Sequence, residues 1–235
     1  ENWSDVDGFL SADPRIIDKP ARIDCLTHKE LRELAYMGAE VLHPESIFPV
    51  RSAGIPINIR NTFNPAAKGT MIVADGKQQG KNGRVVTGIA GRKGFTIINI
   101  EKDMMNSEIG FCRKALSVLE YEGVSFEHMP SGIDTLSLVI RDECLGGNAQ
   151  KLVNKLRDAL GADSIDIHSG LSLIATVGHN MASRHGTAAT IFTALADNHI
   201  NIRMIDQGSS EMNIIVGVDT FDYEKAISAI YHAFC

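Results

Sequence analysis

The order strand, helix, strand, strand, helix occurs twice in the second half of this chain, from about Phe95 and again from about Leu171. A recurring unit of this kind indicates one small α+β module that is used twice. Neither copy contains a nucleophile motif, a cluster of metal ligands or a glycine-rich phosphate loop. We therefore expect the second half of the protein to bind small molecules without transforming them.

Hydrophobic periodicity and turn residues predict the elements of both copies. Before the first copy we expect a short strand at 85–90 and a Gly-Arg-Lys-Gly turn at 91–94. The first copy is predicted as strand 95–100, helix 109–122, strands 124–129 and 135–140, helix 149–160 and strand 164–168. The second copy is predicted as strand 171–177, helix 187–198, strands 201–206 and 213–218 and helix 223–234.

The two copies differ in their number of strands. The first has four, whereas the second has three, which leaves one position of its sheet open. We expect the strand at 85–90 to fill that position, so that the first module is inserted into the second. Two modules that share one framework in this way should be strongly coupled mechanically.

The first third of the chain has a different pattern. Apolar residues at helical spacing, with Thr27 three residues before Glu30, predict a helix over 27–42 that begins with a capping box. Alternation predicts a strand over 55–61, and the Gly-, Pro- and Asn-rich segment 63–83 is expected to be a linker. The chain begins without Met, within what resembles an active-site loop, so we expect a piece of a longer protein.

Charge and cysteine use disfavour several classes of function. The formal net charge is -6 and Lys and Arg are not clustered, which argues against nucleic-acid binding. The absence of a signal peptide and of a long apolar run argues against a membrane, and four scattered cysteines suit a reducing cytoplasm. We also expect no metal, because Cys25 and His28 lack a second pair of ligands and the later histidines lack helical i, i+4 partners.

Several short motifs carry a family resemblance. The first third contains SDVDG at 4–8, DPR at 13–15, MGAEVLHP at 37–44, NTFNP at 61–65 and GT at 69–70. Together they resemble the carboxyl-terminal part of the aspartokinase catalytic domain. The segments FEHMPSGID at 126–134 and QGSSE at 207–211 resemble the two ACT modules that follow this domain in the same enzymes.

The resemblance implies an α+β fold with tandem ACT modules of the ferredoxin-like βαββαβ type, the first inserted into the second, after an α/β remnant of an amino-acid kinase domain. It places the parts at 1–82, 83–169 and 170–235. The implied activity of the parent protein is aspartate kinase, which makes 4-phospho-L-aspartate from L-aspartate and ATP, with Mg, on the route to lysine, threonine and methionine. The family's Lys-Phe-Gly-Gly-Thr segment is not present in these residues, so we expect neither catalysis nor a cofactor in the fragment alone.

The resemblance also places a nucleotide. Ser4 and Asp5 would lie beside it, and Arg15 would reach a phosphate oxygen. Where the family commonly has Lys, this chain has Glu40, and a carboxylate cannot take the same role towards ATP phosphates. On residue pattern alone, the Asp-Pro pair before Arg15 is a turn and Arg15 a solvated side chain.

An amino-acid ligand needs N–H donors for its carboxylate and an anion for its ammonium group. A helix N-terminus with acids nearby supplies both, and we expect such a site in the first module, with L-lysine as feedback inhibitor. In the alternative, Ser107 is an ordinary N-cap and the acids are solvated. The predicted residues are Met105, Asn106, Ser107, Gly110, Ser125, Phe126, Glu127, His128 and Asp134.

The second module offers a similar corner, which either holds a second effector such as L-threonine or serves only as a dimer surface. ACT-type modules usually pair side by side, so the resemblance and the exposed strand edges imply a homodimer with effector at its interface. An oligomerisation module without any ligand is the remaining alternative. The predicted residues of the second corner are Asn180, Met181, Asn201, Ile202 and Gln207.

Overall fold

The computed structural model describes residues 1–39, 48–74 and 84–235, which form two sheets. The first sheet contains strands β1 (Asn2–Ser4), β2 (Cys25–Thr27), β3 (Ile57–Asn61) and β4 (Thr70–Val73) in the order β1-β3-β4-β2. Strand β1 runs parallel to β3 and β2 parallel to β4. This sheet is the α/β portion that precedes the two modules.

Helix α1 (His28–Tyr36) confirms the predicted capping box. The hydroxyl of Thr27 accepts the amide of Glu30, and the carboxylate of Glu30 accepts the amide of Thr27. A short helix, α2, follows at Phe48–Ser52. The helix predicted over 27–42 is too long, because α1 ends at Tyr36 with Met37 as its C-cap, and Gly38 has a φ of +104°, which a helix does not accommodate. Residues 40–42 of the predicted helix, including Glu40, lie outside the described residues.

The linker predicted over 63–83 is wrong in part, because β4 lies within it. Thr70 has a fully buried side chain whose hydroxyl donates to the carbonyl of Ile23 at 2.6 Å and accepts the amide of Phe9 at 2.8 Å. Four strand residues between Gly-rich flanks are too few to show a clear period, which is why the pattern did not reveal them. Residues 75–83 of the predicted linker lie outside the described residues.

The second sheet has five antiparallel strands in the order β6-β5-β7-β9-β8. They are β5 (Gly88–Glu101), β6 (Thr135–Arg141), β7 (Ser164–Val177), β8 (Ile202–Asp206) and β9 (Asn213–Asp219). The turn predicted at 91–94 is wrong, since β5 runs through it with a register shift between Lys93 and Phe95. Gly94 has a φ of +90° at this bulge, where a single irregular residue bends a strand without ending it. Strand β7 likewise joins two segments that the sequence pattern separated.

The pairing of these long strands confirms the predicted insertion. Residues 88–93 of β5 pair with 172–177 of β7 in the second module, whereas 95–101 of β5 pair with β6 in the first. The first half of β5 therefore fills the open position. Both β5 and β7 continue through the two modules, so the modules share covalently continuous strands.

The strand predicted at 124–129 is wrong. Residues 126–132, here called the edge segment, run beside β6 with only two isolated bridges, at His128 and Ser131. Pro130 has no amide hydrogen to contribute to a ladder, which accounts for the interruption. The edge segment remains the outermost chain of the first module.

The helices cover both faces of the second sheet. Helices α3 (Phe111–Glu122) and α5 (Ala149–Leu160) cover the first module and α6 (Thr187–Asp197) and α7 (Tyr223–Phe234) the second, while α4 is a single turn at Asp142–Leu145. Helix α1 lies on the opposite face, where Leu34 belongs to the same core as Ala175 and Ile215. Within the described ranges, no helix is long and apolar enough to cross a membrane.

Candidate functional site

A cavity of about 590 Å³ lies between the first sheet and the second module. Its walls come from the loops after β1, the end of α1, strand β5 and helix α7. Asp5 and Arg15, two of the three residues predicted to contact a nucleotide, line this cavity. Ser4, the third predicted residue, ends β1 and does not line the cavity, but its hydroxyl donates to Oδ1 of Asp5 at 3.2 Å.

Arg15 and Asp13 form a two-pronged ion pair in the cavity wall. Nη2 of Arg15 lies 2.6 Å from Oδ2 of Asp13, and Nε lies 3.0 Å from Oδ1. The hydrogen bond from Arg15 lowers the pKa of Asp13 below its ordinary value. Because the guanidinium is exposed and carries five N–H donors, it can bind a second anion such as a phosphate oxygen.

Asp7, Asn61 and Asn64 form a network that sequence reasoning missed. Nδ2 of Asn61 donates to Oδ1 of Asp7 at 2.8 Å, and Nδ2 of Asn64 donates to the same oxygen at 3.2 Å. Asp7 and Asn61 both line the cavity. The parallel pairing of β1 and β3 brings the carboxyl ends of the two strands, and the polar motifs after them, to one edge. The sequence pattern gives no sign of this pairing, which is why the network was missed.

Tyr223 of α7 is a second residue of the cavity that the sequence did not reveal. Its ring packs so closely on β5 that a Cβ atom at Gly91 would lie 2.7 Å from Cε2 of the ring. Burial, together with the nearby charges of Asp13 and Glu224, raises the pKa of Tyr223 to about 12. The second module therefore supplies part of the wall of this cavity.

The predicted effector residues of the first module do not meet within one chain. The amide of Asn106 donates to the carbonyl of Ile133 at 3.1 Å, which places the loop before α3 beside Asp134. The amide of Glu127 donates to the carbonyl of Val139 at 2.8 Å, towards the far end of β6. Four residues of strand, about 13 Å, separate Val139 from the start of β6. Met105, Asn106, Ser107, Gly110 and Asp134 thus lie at one end, and Ser125, Phe126, Glu127 and His128 at the other.

The helix predicted over 109–122 begins later than expected, at Phe111. Ser107 ends a short 3₁₀ turn, Met105–Ser107, in which Met105 is buried. Its hydroxyl donates to Oδ1 of Asn106 at 3.3 Å, and Gly110, not Ser107, is the N-cap of α3. Ile109 therefore precedes α3, and it is 99% exposed.

Glu127 is neither solvated nor free. Its side chain is 4% exposed, and Oε1 accepts a hydrogen bond from Nε of Arg141 at 2.5 Å. The hydroxyl of Tyr36, at the end of α1, donates to its other oxygen. Burial and this hydrogen bond raise the pKa of Tyr36. The carboxylate therefore ties the first module to α1.

His128 joins the two modules. Its Nδ1 lies 2.5 Å from Oδ2 of Asp206, the last residue of β8. The edge segment of the first module thereby contacts the outermost strand of the second.

In the second module, two of the five predicted residues face a cavity. Met181 and Gln207 line a space of about 550 Å³ at the amino-terminal end of α6. Nδ2 of Asn180 is engaged with the carbonyl of Arg84 at 3.0 Å. Asn201 and Ile202 lie at the start of β8, at the opposite end of that strand from Gln207.

Comparison with known proteins assigns this arrangement to a family. The sequence-family model described as "Amino acid kinase family" matches residues 1–61 of the chain. The family model described as "ACT domain" matches residues 174–234. Aspartokinase 3 of Bacillus subtilis is 41% identical over 235 residues, which are 100% of this chain and 51% of that protein. The chain belongs to the aspartokinase family.

Solved aspartokinase structures share the fold. The crystal structure of aspartate kinase from Clostridium acetobutylicum is 57% identical, with a TM-score of 0.95, and the match covers 100% of this chain and 54% of that chain. The chain therefore spans about half the length of these relatives. Aspartokinase III of E. coli, 26% identical, has been solved with aspartate and ADP (TM-score 0.81, 98% and 51% covered) and with lysine and aspartate (TM-score 0.78, 99% and 51% covered).

Proposed function

We propose that this chain is the part of an aspartate kinase that comprises the carboxyl-terminal part of the catalytic domain and two regulatory ACT modules. The whole enzyme converts L-aspartate and ATP into 4-phospho-L-aspartate and ADP. Within this proposal residues 1–82 belong to the catalytic domain, 83–169 to the first ACT module and 170–235 to the second. The observation that supports it best is that Asp5 and Arg15 line one cavity in a chain that matches aspartokinases from end to end.

The chemistry of the cavity suits one end of a nucleotide. Phosphoryl transfer depends mainly on positioning and on neutralising charge, and Arg15 provides an exposed cation for that purpose. The carboxylates of Asp5 and Asp7 provide acceptors for ribose hydroxyls. When bound, ATP supplies the transferred phosphoryl group.

Mg²⁺ would come with the nucleotide. In residues 1–39, 48–74 and 84–235, no three His, Cys, Asp or Glu side chains are grouped so as to hold a metal ion. Mg²⁺ is commonly bound through one or two carboxylates plus substrate phosphates, and the cavity acids meet that requirement.

L-lysine is the proposed feedback inhibitor, bound between two copies of the chain. The edge segment is the outermost chain of the first module, and two such edges can pair antiparallel about a two-fold axis. That pairing would set the loop around Ser107 of one copy opposite Ser125 and Phe126 of the other. The relative from E. coli solved with lysine supports the choice of ligand.

Calorimetric titration of the chain with lysine, threonine and methionine tests the sensor. Heat with lysine, together with a shift towards dimer in sedimentation, is expected. Heat with threonine alone would favour the cavity at Met181 and Gln207 as the effector site. If none of the three amino acids changes the sedimentation of the chain, the result would favour a ligand-free oligomerisation module and contradict the proposal.

The kinase assignment has a separate test in the full-length protein. Phosphorylation of aspartate by ATP is expected, and Arg15→Ala should raise the KM for ATP by about tenfold through loss of a charge-assisted contact. Arg22→Ala is the control, because Arg22 forms an exposed pair with Asp24 away from the cavity. If Arg15→Ala and Arg22→Ala have the same KM for ATP, the result would contradict a contact between Arg15 and the nucleotide.

A further inference from the structure

Glu30 is a fully buried carboxylate that binds three parts of the chain at once. Its Oε2 accepts the amide of Thr27 at 2.8 Å and the hydroxyl of Thr27 at 2.9 Å, which caps α1. Its Oε1 accepts the hydroxyl of Thr87 at 2.6 Å and the amide of His179 at 2.9 Å. Thr87 immediately precedes β5, and His179 begins the 3₁₀ turn His179–Ser183 of the second module.

Capping accounts for only half of these contacts. A capping box needs one carboxylate oxygen, whereas the other oxygen of Glu30 receives donors that are distant in sequence. A buried carboxylate is costly unless it is well hydrogen-bonded, and here four neutral N–H and O–H groups stabilise it. Because a carboxylate only accepts hydrogen bonds, it suits a position surrounded by donors, and a Gln side chain would direct its NH₂ group at some of them.

The second-module loop, residues 178–183, makes two further contacts with the segment that precedes β5. Nδ2 of Asn180 donates to the carbonyl of Arg84 at 3.0 Å. Gly178 approaches the backbone so closely that a Cβ atom would lie 2.3 Å from the carbonyl oxygen of Val85. Met181, three residues after Gly178 in the same loop, lines the cavity of about 550 Å³, here called the second-module cavity. Anything that reshapes this cavity therefore acts on groups that Glu30 holds.

Helix α1 runs from Glu30 to the cavity that is proposed to hold the nucleotide, here called the nucleotide cavity. Leu34 on the helix, and Met37, Gly38 and Ala39 just after it, line the cavity of about 590 Å³. A displacement of the first turn of a short helix is transmitted to its last turn, because the helix moves as a rigid unit.

We propose that Glu30 is a positioning residue that couples the second-module cavity to α1 and so to the nucleotide cavity. The inference rests on the proposed function and assigns to the second cavity a regulatory role for an amino-acid ligand. A ligand that moves the loop changes the hydrogen bond between the amide of His179 and Glu30, and the two states of that bond carry the coupling.

Hydrogen exchange tests the link without any enzyme assay. In Glu30→Gln, the amides of 178–183 are expected to exchange about tenfold faster, the effect of weakening a hydrogen bond to a charged group. Glu33→Gln is the matched control, because Glu33 lies one turn along on α1 and accepts Nδ2 of Asn213 at 2.7 Å, a bond that a Gln oxygen retains. Thr87→Val removes one donor and keeps the carboxylate, so it remains informative should Glu30→Gln fail to fold.

The regulatory consequence is measured in the full-length enzyme with lysine and threonine as probes. Glu30→Gln should shift the half-inhibitory concentration of the second-cavity ligand by about threefold or more, with a smaller change in the uninhibited KM for ATP. Unchanged exchange at 178–183 in both Glu30→Gln and Thr87→Val would overturn the inference. Faster exchange in a protein that has no kinase activity would uphold the Glu30 link and contradict the proposed function instead.

Discussion

The hydroxyl of Tyr36 donates a hydrogen bond to the carboxylate of Glu127, and this contact joins the end of α1 to the edge segment of the first module. Arg141 completes the group, with its guanidinium over the ring of Tyr36 at 5.6 Å. At its other end α1 is held by the second module through Glu30. One nine-residue helix of the α/β portion thus contacts both modules.

Tyr36→Phe removes the hydroxyl and leaves the ion pair of Glu127 with Arg141. The free energy of unfolding is expected to fall by about 0.5–1.5 kcal/mol, the typical net value of one hydrogen bond. Urea unfolding provides the measurement. Tyr121→Phe is the control, because Tyr121 is exposed on α3 and its change should stay within about 0.5 kcal/mol. Equal losses in the two variants would contradict a specific role for the Tyr36 hydroxyl.

Gly178→Ala introduces a methyl group where the carbonyl oxygen of Val85 lies 2.3 Å away. The backbone must shift, so a loss of about 1–3 kcal/mol in the free energy of unfolding is expected. Gly208→Ala is the matched control in the same module, since a Cβ there would meet nothing within 4 Å. The pair is compared by thermal and urea unfolding, and a Gly178→Ala protein as stable as Gly208→Ala would show that the two segments are not held together.

Tyr223 predicts a pH dependence at the alkaline end. Its pKa is raised from 10.0 to about 12 in the folded protein, mainly by burial, so the folded state keeps the phenol proton that the unfolded chain releases. The stabilisation is complete below pH 10, declines as the pH rises and is lost at about pH 12. In Tyr223→Phe the unfolding midpoint should fall less steeply over this range. Parallel profiles for the two proteins would contradict the assignment.

Ile133→Glu tests the proposed pairing of edge segments. Ile133 follows the edge segment and is 69% exposed, so a charge there should leave the fold intact and weaken the dimer by about tenfold or more. Sedimentation with and without lysine measures the dissociation constant. Phe221→Glu supplies the control, because Phe221 is also exposed but lies before α7 of the second module. A dimer that Phe221→Glu disrupts and Ile133→Glu does not would place the interface elsewhere.

Local pattern was a good guide to the helices. The bounds of α5 and α7 agree with those predicted, and the inward residues Leu152, Val153 and Leu156 are buried. Amphipathic spacing and caps act over a few residues, so they can be read locally. The continuity of a strand is harder to predict from the sequence, because glycine is common both at bulges and at turns. The turn predicted around Gly94 was a bulge for that reason.

The residues of the candidate site also differ in whether the sequence predicts them. Asp5 and Arg15 were predicted from the family motifs and both line one cavity, while their contact with a nucleotide stays a prediction. Asp7 and Tyr223 were missed, because their importance comes from elements that meet only in the folded chain. The ligand role of Glu127 stays a prediction, since its carboxylate is occupied within the chain by Tyr36 and Arg141.

The sequence by itself determined the module repeat, the missing strand of the second copy and the family motifs, because each depends on residue types at short spacings. Only the tertiary structure decided which polar groups meet. Tyr36 and Glu127 are 91 residues apart, and Glu30 and the amide of His179 are 149 apart. Such partners are chosen by how the two sheets pack around α1, where buried donors and acceptors must find one another, and no local pattern encodes that geometry.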